Sequence, residues 1–499
     1  MENLKMKSKD VINDNVNKIS KLFPNCINEG KINFEMLKQE LSRDIIEDEK
    51  EKYQLTWAGK KESIVNANTS TESTLRLVKE KSVDFDSTKN IYIEGDNLET
   101  LKILQESYLN KIKCIYIDPP YNTGNDFIYN DKYVNDNELK DSGQIDEYNN
   151  RLITNNESNG RFHSDWLSMM YPRLKLARNL LTEDGAMFIS IGNEEYNLTQ
   201  ICNEIFGENN HIGTISRLMK SGGNKGQYFS PNIEYVLVYA KNIDKLGHFR
   251  EEISEDIAKT YNNIDENGEK YAIKGLCQPG LGNRANQRYW IECPDGTFII
   301  PRGKNFPKII KEGEKISPTD DDTSWKWTYD RYKVEKQKGN ILFKRNTSAT
   351  ALVDENGNIA KWNVFNKIWL KDRLKEGRVP VDFITKFENR ISAEELKKLD
   401  IPFDFAKPTG LIKLLISYME NTKDAIILDF FSGSATTADS VMQLNAEDNG
   451  NRKFILVQIP EKLSENTESY KEGYKTICEI GEERIRRAGK KIKEETNAD

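Results

Sequence analysis

No stretch of this 499-residue chain stays apolar long enough to cross a bilayer, and its N-terminal MENLKMKSKDVINDNV lacks the apolar centre of a secretory signal. Membrane insertion and export are thereby set aside, and a cytoplasmic protein is expected. Histidine occurs three times, and the six cysteines are scattered with no Cys-x-x-Cys pair. Neither a metal site nor a disulfide framework is expected from that set. Two nucleotide signatures are missing as well. No Gly-Lys-Ser/Thr closes a Walker phosphate loop, and no G-x-G-x-x-G opens a helix after a strand, which weakens a dehydrogenase reading. Nor is there the excess of positive charge that a nucleic-acid partner normally leaves, since the formal net charge is −7. Distribution can override that total: RDIIEDEKE and ISAEELKKLD concentrate acid, whereas KVEKQKGNILFKRN and SRLMKSGGNKGQ are locally basic. Taken alone, such runs read as solvated faces.

What is present points to several domains, because 499 residues exceed what one core usually serves. Residues 1–60 read as a charged helical arm, with Phe34, Leu37, Leu41 and Ile45 on one face. Then NIYIEGDNLETLKILQESYLNKIKCIYIDPPY reads strand, turn, helix, strand: a βαβ unit and hence a parallel sheet. Residues 125–160, rich in Asn, Asp and Tyr, predict a long loop. HSDWLSMMYPRLKLARNLLTEDG has helical spacing with Gly185 as its stop, AMFISIG reads as a buried strand, and IEYVLVYAKN as a strand near the sheet edge. Between 245 and 395 helix periodicity fades and turns multiply, predicting an inserted α+β module with a hairpin at Pro294-Asp295-Gly296. The α/β pattern returns over 396–499, so the first half of that domain spans 61–244.

Two sites stand out. In KCIYIDPPYNTG an apolar run meets an acid and two prolines, which supply no N–H to a ladder, so the strand stops at Asp118. An acid at the carboxyl end of a buried strand sits where open α/β sheets place ligand chemistry. In ILDFFSGSATTADSV a strand ends at Asp429, a turn holds Gly433, and a helix of small residues begins near Ser434. That turn lets backbone approach a ligand and offers free N–H groups.

Together with YQLTWAGKKESI, IEGDNLETLKIL, IYIDPPYNTGNDFIYND, GRFHSDWLSMMYPRLKLARNLL, YVLVYAKN and IGEERIRRAGKKI, these sites resemble the permuted, beta-class amino-group DNA methyltransferases. The closer resemblance is to the modification subunits of type III restriction systems. It implies a Rossmann-like α/β sheet dependent on S-adenosylmethionine, an inserted target-recognition domain over 245–395, and methylation of the N6 amine of a flipped adenine in double-stranded DNA. N4-cytosine methylation remains open, although Asp rather than Ser at the first motif position leans toward adenine. A catalytically silent DNA-reading protein is the reading from another class.

The resemblance implies roles residue by residue. Asp118 and the carbonyl of Pro119 accept from the target amine, Pro120 stiffens the loop, and Tyr121 stacks on the base. Asp429, Phe430, Ser432 and Gly433 lie at the methionine part of the cofactor, Asp96 at its adenine, and Lys407 in the segment leading into the preceding helix. Gln458 stands where an acid usually binds the ribose; Glu461 is either a second contact or a surface acid, and Asp96 either a contact or a strand-end turn. His163 and Trp166 read as packing residues. Lys336, Lys338, Lys344 and Arg345 are the expected DNA contacts, and no metal is needed. A homodimer is expected, one copy reading DNA while the other modifies it. The relatives usually continue past ERIRRAGKKI whereas this chain stops at Asp499, so methylation is expected to proceed without ATP, and pairing with a restriction subunit stays open.

Overall fold

The computed structural model describes residues 10–22, 55–124, 160–222, 228–278, 280–282, 284–346 and 351–496, with short pieces between 27 and 37 and at 127–129 and 152–154. Most of the predicted arm, Leu41 and Ile45 included, lies outside the described residues, as does most of the loop predicted over 125–160. The chain forms two units, Met1–Phe249 with Pro380–Asp499, and the inserted Arg250–Val379.

The larger unit holds an eight-stranded sheet. Its strands in chain order are β1 (Ile91–Glu94), β2 (Ile112–Ile117), β3 (Leu181–Ile191), β4 (His211–Leu218), β5 (Ile233–Ala240), β6 (Phe383–Ile384), β7 (Ile426–Asp429) and β8 (Lys453–Gln458). Across the sheet they run β6-β4-β5-β3-β2-β7-β8-β1. Strand β5 is antiparallel to β3 and β4, and the other neighbours are parallel.

Strand β2 is buried along its whole length, as an unbroken apolar run in a parallel sheet requires. Its alternate residues serve two cores. Ile115 and Ile117 pack with Leu101 and Leu104 of α1 (Asn97–Tyr108) and Leu174 of α2 (Phe162–Leu180). Cys114 and Tyr116 face the other layer, with Leu411 and Leu415 of α3 (Thr409–Ser417) and Val441 of α4 (Thr436–Asp448). Among the described residues no helix is long and apolar enough to cross a membrane.

Three local expectations change. The segment IEYVLVYA is an interior strand, β5, rather than one near the edge. Helix α2 ends at Leu180, and Gly185 lies inside β3, where a side chain would meet the carbonyl oxygens of Thr182 and Ile112 at 3.0 and 3.1 Å. The strands of the βαβ unit, β1 and β2, are parallel but not neighbours, because β8 and β7 lie between them.

The insert starts and ends inside the span read from sequence. Residues 380–395 belong to the larger unit, because Phe383 and Ile384 extend its sheet against Ser216 and Arg217. The insert is antiparallel. One sheet contains Asn263–Ile264, Lys270–Gly275, Trp362–Trp369 and Ile341–Arg345; a second contains Ile291–Glu292, Phe298–Pro301 and Leu352–Asp354. Tyr289, Trp325 and Tyr332 fill the core between them.

Candidate active site

The loop after β2 is fixed from several directions. Trp166 of α2, fully buried, donates its indole N–H to the Pro120 carbonyl at 2.8 Å. Asn122 takes a left-handed conformation, φ 58°, and its amide donates to Glu194 at 2.7 Å. His163 approaches the same oxygen at 2.6 Å. Trp166 and His163 thus do more than fill space: they hold the chain around Pro120 and Asn122. The Pro119 carbonyl receives no protein donor among the described residues, so it is left as an acceptor beside Asp118.

Asp118 itself is paired with a cation from far along the sequence. Lys407 donates to both carboxylate oxygens, at 2.8 and 2.7 Å, and its ammonium lies 5.0 Å from the centre of the Tyr121 ring. It is also 3.8 Å from Glu234. Glu234 is held in turn by Arg217, both side chains almost wholly buried, and it accepts the Tyr121 hydroxyl at 3.1 Å. Arg217 further donates to the Phe387 carbonyl at 3.0 Å and to Asn389 at 2.7 Å. Burial pushes the Asp118 carboxyl above the ordinary carboxylate range, Lys407 pulls against it, and the Glu234 charge adds to the rise. Burial, with Asp118 and Glu234 nearby, raises the Tyr121 phenol well above its usual value, so the hydroxyl stays a donor. A side chain at Gly192 would strike the Tyr121 ring at 2.9 Å, which leaves glycine the residue that fits behind it.

Strand β7 neighbours β2, so Asp429 ends beside Asp118 at the carboxyl edge of the sheet. Asp429 is buried; Thr437 donates to it at 2.6 Å and the Phe431 N–H at 3.1 Å. Burial nonetheless pushes its carboxyl up to about 7, with the charge of Asp118 contributing. The turn that follows needs left-handed backbone at Gly433, φ 48°, and Ala435, φ 62°. Among the described residues, a side chain at Gly433 would meet open space, and the buried Ser432 hydroxyl has no partner. Open space and an unused hydroxyl beside a buried acid fit a ligand that brings its own hydrogen-bonding groups and a positive charge.

Gln458 accepts the Gly433 N–H at 2.7 Å and donates to the Ile459 carbonyl at 3.2 Å. Both ends of its amide are thus engaged with the backbone of the turn. Asp96 caps α1 by accepting the Glu99 N–H at 3.0 Å, and its second oxygen is 3.7 Å from Arg173. Asp96 thus caps the helix at the carboxyl end of β1. The adjacent Asn97 donates to the Phe430 carbonyl at 2.7 Å, joining the two turns. Glu461 is partly buried, and burial pushes its carboxyl up to about 7.

The cations chosen in the insert differ among themselves. Lys336 is paired with Glu312 at 2.6 Å and Lys338 with Glu335 at 3.2 Å. Lys344 is exposed and has no ion pair among the described residues, and the Arg345 guanidinium lies 5.4 Å from the Trp362 ring centre. Lys326 and Arg331, not singled out from sequence, flank Trp327 at 5.4 and 4.8 Å. In the larger unit the residues missed were Arg217, Glu234, Asn97 and Arg484. Arg484 is buried and donates to Ser434 at 3.0 Å, Thr436 at 2.7 Å and Asp439 at 3.1 Å, pinning the start of α4. The available signal was a lone charge inside an apolar strand, as Glu234 is in IEYVLVYA.

Comparison with known proteins identifies the family. The family described as DNA methylase matches residues 112–488. The EcoPI Mod subunit of the type III restriction-modification enzyme from Escherichia phage P1 is 32% identical over 94% of this chain and 73% of its own length. The EcoP15I Mod subunit of Escherichia coli is 32% identical over 95% and 75%. Among solved structures, the M1.HpyAVI-SAM complex covers 79% of this chain and 98% of that one, at 12% identity and a TM-score of 0.31. The extent of the family match, with the Mod-subunit identities along nearly the whole chain, makes this protein a member of the DNA methylase family, similar to type III modification subunits.

Proposed function

We propose that the protein transfers a methyl group from S-adenosylmethionine to the N6 amine of an adenine in double-stranded DNA, as the modification subunit of a type III system. The observation that carries this reading is the placement of the Asp118 carboxylate, its orientation held by Lys407, next to the Asp429 turn. S-adenosylmethionine, when bound, supplies a methyl group already activated by its sulfonium. The rest is done by side chains and backbone. Asp118 and the Pro119 carbonyl accept hydrogen bonds from the amine and draw its lone pair out of the ring, toward the reacting methyl. Tyr121 offers its face to a base rotated out of the duplex. Asp429 favours the cofactor ammonium, while Phe430, Ser432 and Gly433 line the methionine part. Asp96 and Glu461 are the remaining contacts, and Gln458 acts by holding Gly433.

On the same reading the insert is the target-recognition domain, with Lys336, Lys338, Lys344 and Arg345 among its phosphate contacts. The protein is cytoplasmic, works with a Res subunit as the partner of the Mod relatives, and functions as a homodimer.

Nucleoside mass spectrometry on DNA from an expressing host, paired with methylation-sensitive sequencing, tests the chemistry and locates the methylated sequence. N6-methyladenine is expected. N4-methylcytosine would overturn the choice of base, and unmodified DNA the activity.

A further inference from the structure

Phe405 is 95% exposed, and its backbone has φ 64°. A bulky side chain is rarely found in that left-handed region. Its neighbours show what imposes it. Ala406 is buried in a small apolar cluster with Leu396, Leu399 and Ile401, and Phe403 packs against the same cluster. Lys407 is clamped on Asp118. Anchored on both sides, the backbone turns the ring of Phe405 away from that cluster and into solvent. The exposed ring gains no burial in return for the strain, so packing within the larger unit does not account for it, and strain of this kind gathers at functional positions.

An enzyme that works on a base inside DNA must take it out of the stack, which leaves a gap between the neighbouring base pairs. Proteins that open a stack commonly insert an apolar side chain there, phenylalanine among them. Phe405 has the required character: it is aromatic, exposed, and held outward on a turn whose next anchored side chain touches the proposed catalytic acid. Lys407 lies over the Tyr121 face that would receive the base. Entry of the base and departure of Lys407 from that face are therefore linked to the segment that presents the ring.

We propose that Phe405 is a wedge that enters the DNA stack as the target base leaves it. The inference rests on the DNA methyltransferase reading above. Two other aromatics stand in solvent on the connection from β4 to β5, Tyr228 at 84% and Phe229 at 91% exposed. Neither has the left-handed backbone of Phe405, and they are the rival assignment.

The test uses the full chain and duplex oligonucleotides carrying the sequence that the wild-type protein methylates in its host. In one duplex the target adenine is paired with thymine; in the other it faces an abasic site. Phe405→Ala should lose roughly tenfold to hundredfold in kcat/KM on the paired duplex, the equivalent of opening one pair without help. On the abasic duplex it should return to within about threefold of wild type, because no pair remains to be opened. Phe405→Leu should retain most activity on both, and S-adenosylmethionine affinity by calorimetry should not change. Equal losses on both duplexes would make Phe405 a structural residue and overturn the wedge. So would full activity of Phe405→Ala on the paired duplex, or the abasic rescue appearing in Tyr228→Ala or Phe229→Ala instead. Wild-type protein that methylates neither duplex would instead refute the methyltransferase reading, and the wedge with it.

Discussion

Lys407 binds Asp118 through both carboxylate oxygens, at 2.8 and 2.7 Å, although 289 residues separate them. The ammonium occupies the region where a target amine would donate. In the free protein it opposes the rise that burial imposes on the Asp118 carboxyl, and it holds the carboxylate plane. On the proposed reading, an arriving amine would donate its N–H groups to the same oxygens, and Lys407 would have to move aside.

Lys407→Met should therefore raise the Asp118 pKa further, because the larger of the causes that lower it is gone while burial and Glu234 remain. The active form is the carboxylate, so the acidic limb of the pH–rate profile should move to higher pH. A rate loss of roughly 10- to 100-fold near neutral pH is expected, with S-adenosylmethionine binding retained. A profile that falls without shifting would show that Lys407 acts on something other than Asp118.

Asp118→Ala should abolish methyl transfer while sparing cofactor binding by calorimetry, because Asp118 is assigned to the amine. Tyr121→Ala should also be severely impaired through loss of the stacking face, worth about 1–3 kcal/mol per base. Tyr121→Phe keeps the ring and loses the hydroxyl's hydrogen bonding to Glu234 and Asp118. It should retain most activity and lose about 1–2 kcal/mol of stability in urea unfolding. An active Asp118→Ala protein would overturn the assignment.

Burial raises Asp429 to about 7, well above the value near 4 of an unfolded aspartate. Its contribution to stability is thus fully present below the unfolded pKa and is lost as pH rises through about 7. Thermal unfolding of the unliganded protein should show stability falling from pH 5 to pH 8, and Asp429→Asn should flatten that slope. Binding of a cation at this carboxylate favours the ionised form, so S-adenosylmethionine should bind more tightly toward pH 8 in wild type, with little pH dependence in the variant. Parallel slopes in the two proteins would place the titration elsewhere, with Glu461 the next candidate.

In the insert, Lys336 and Lys338 already sit on Glu312 and Glu335. Neutralising Lys344 and Arg345 together should reduce the slope of log K for DNA against log salt by roughly 1 to 2, about one unit for each phosphate that is no longer neutralised. Neutralising Lys336 and Lys338 together should change it by less than about half a unit. Binding titrations at several salt concentrations separate the two, and unchanged slopes in both would shift attention to Lys326 and Arg331.

The sequence by itself determined where β2 and β7 stop and what waits at their ends. Proline supplies no N–H for a ladder, so Asp118 had to close β2, and left-handed backbone favours glycine, so Gly433 marked the turn after Asp429. These are local effects, felt within a few residues, and they were enough to locate most of the proposed site and its family likeness. Only the tertiary structure decided which ends meet. Parallel strands pair through long crossovers, and no spacing in NIYIEGDNLETLKILQESYLNKIKCIYIDPPY announces that β7 and β8, more than 300 residues later, slot between β1 and β2. That insertion puts Asp429 beside Asp118. It was also packing, not pattern, that brought Lys407 onto Asp118 and buried Arg217 against Glu234, because a charge in the sequence gives no sign of its partner until burial makes an unpaired one too costly.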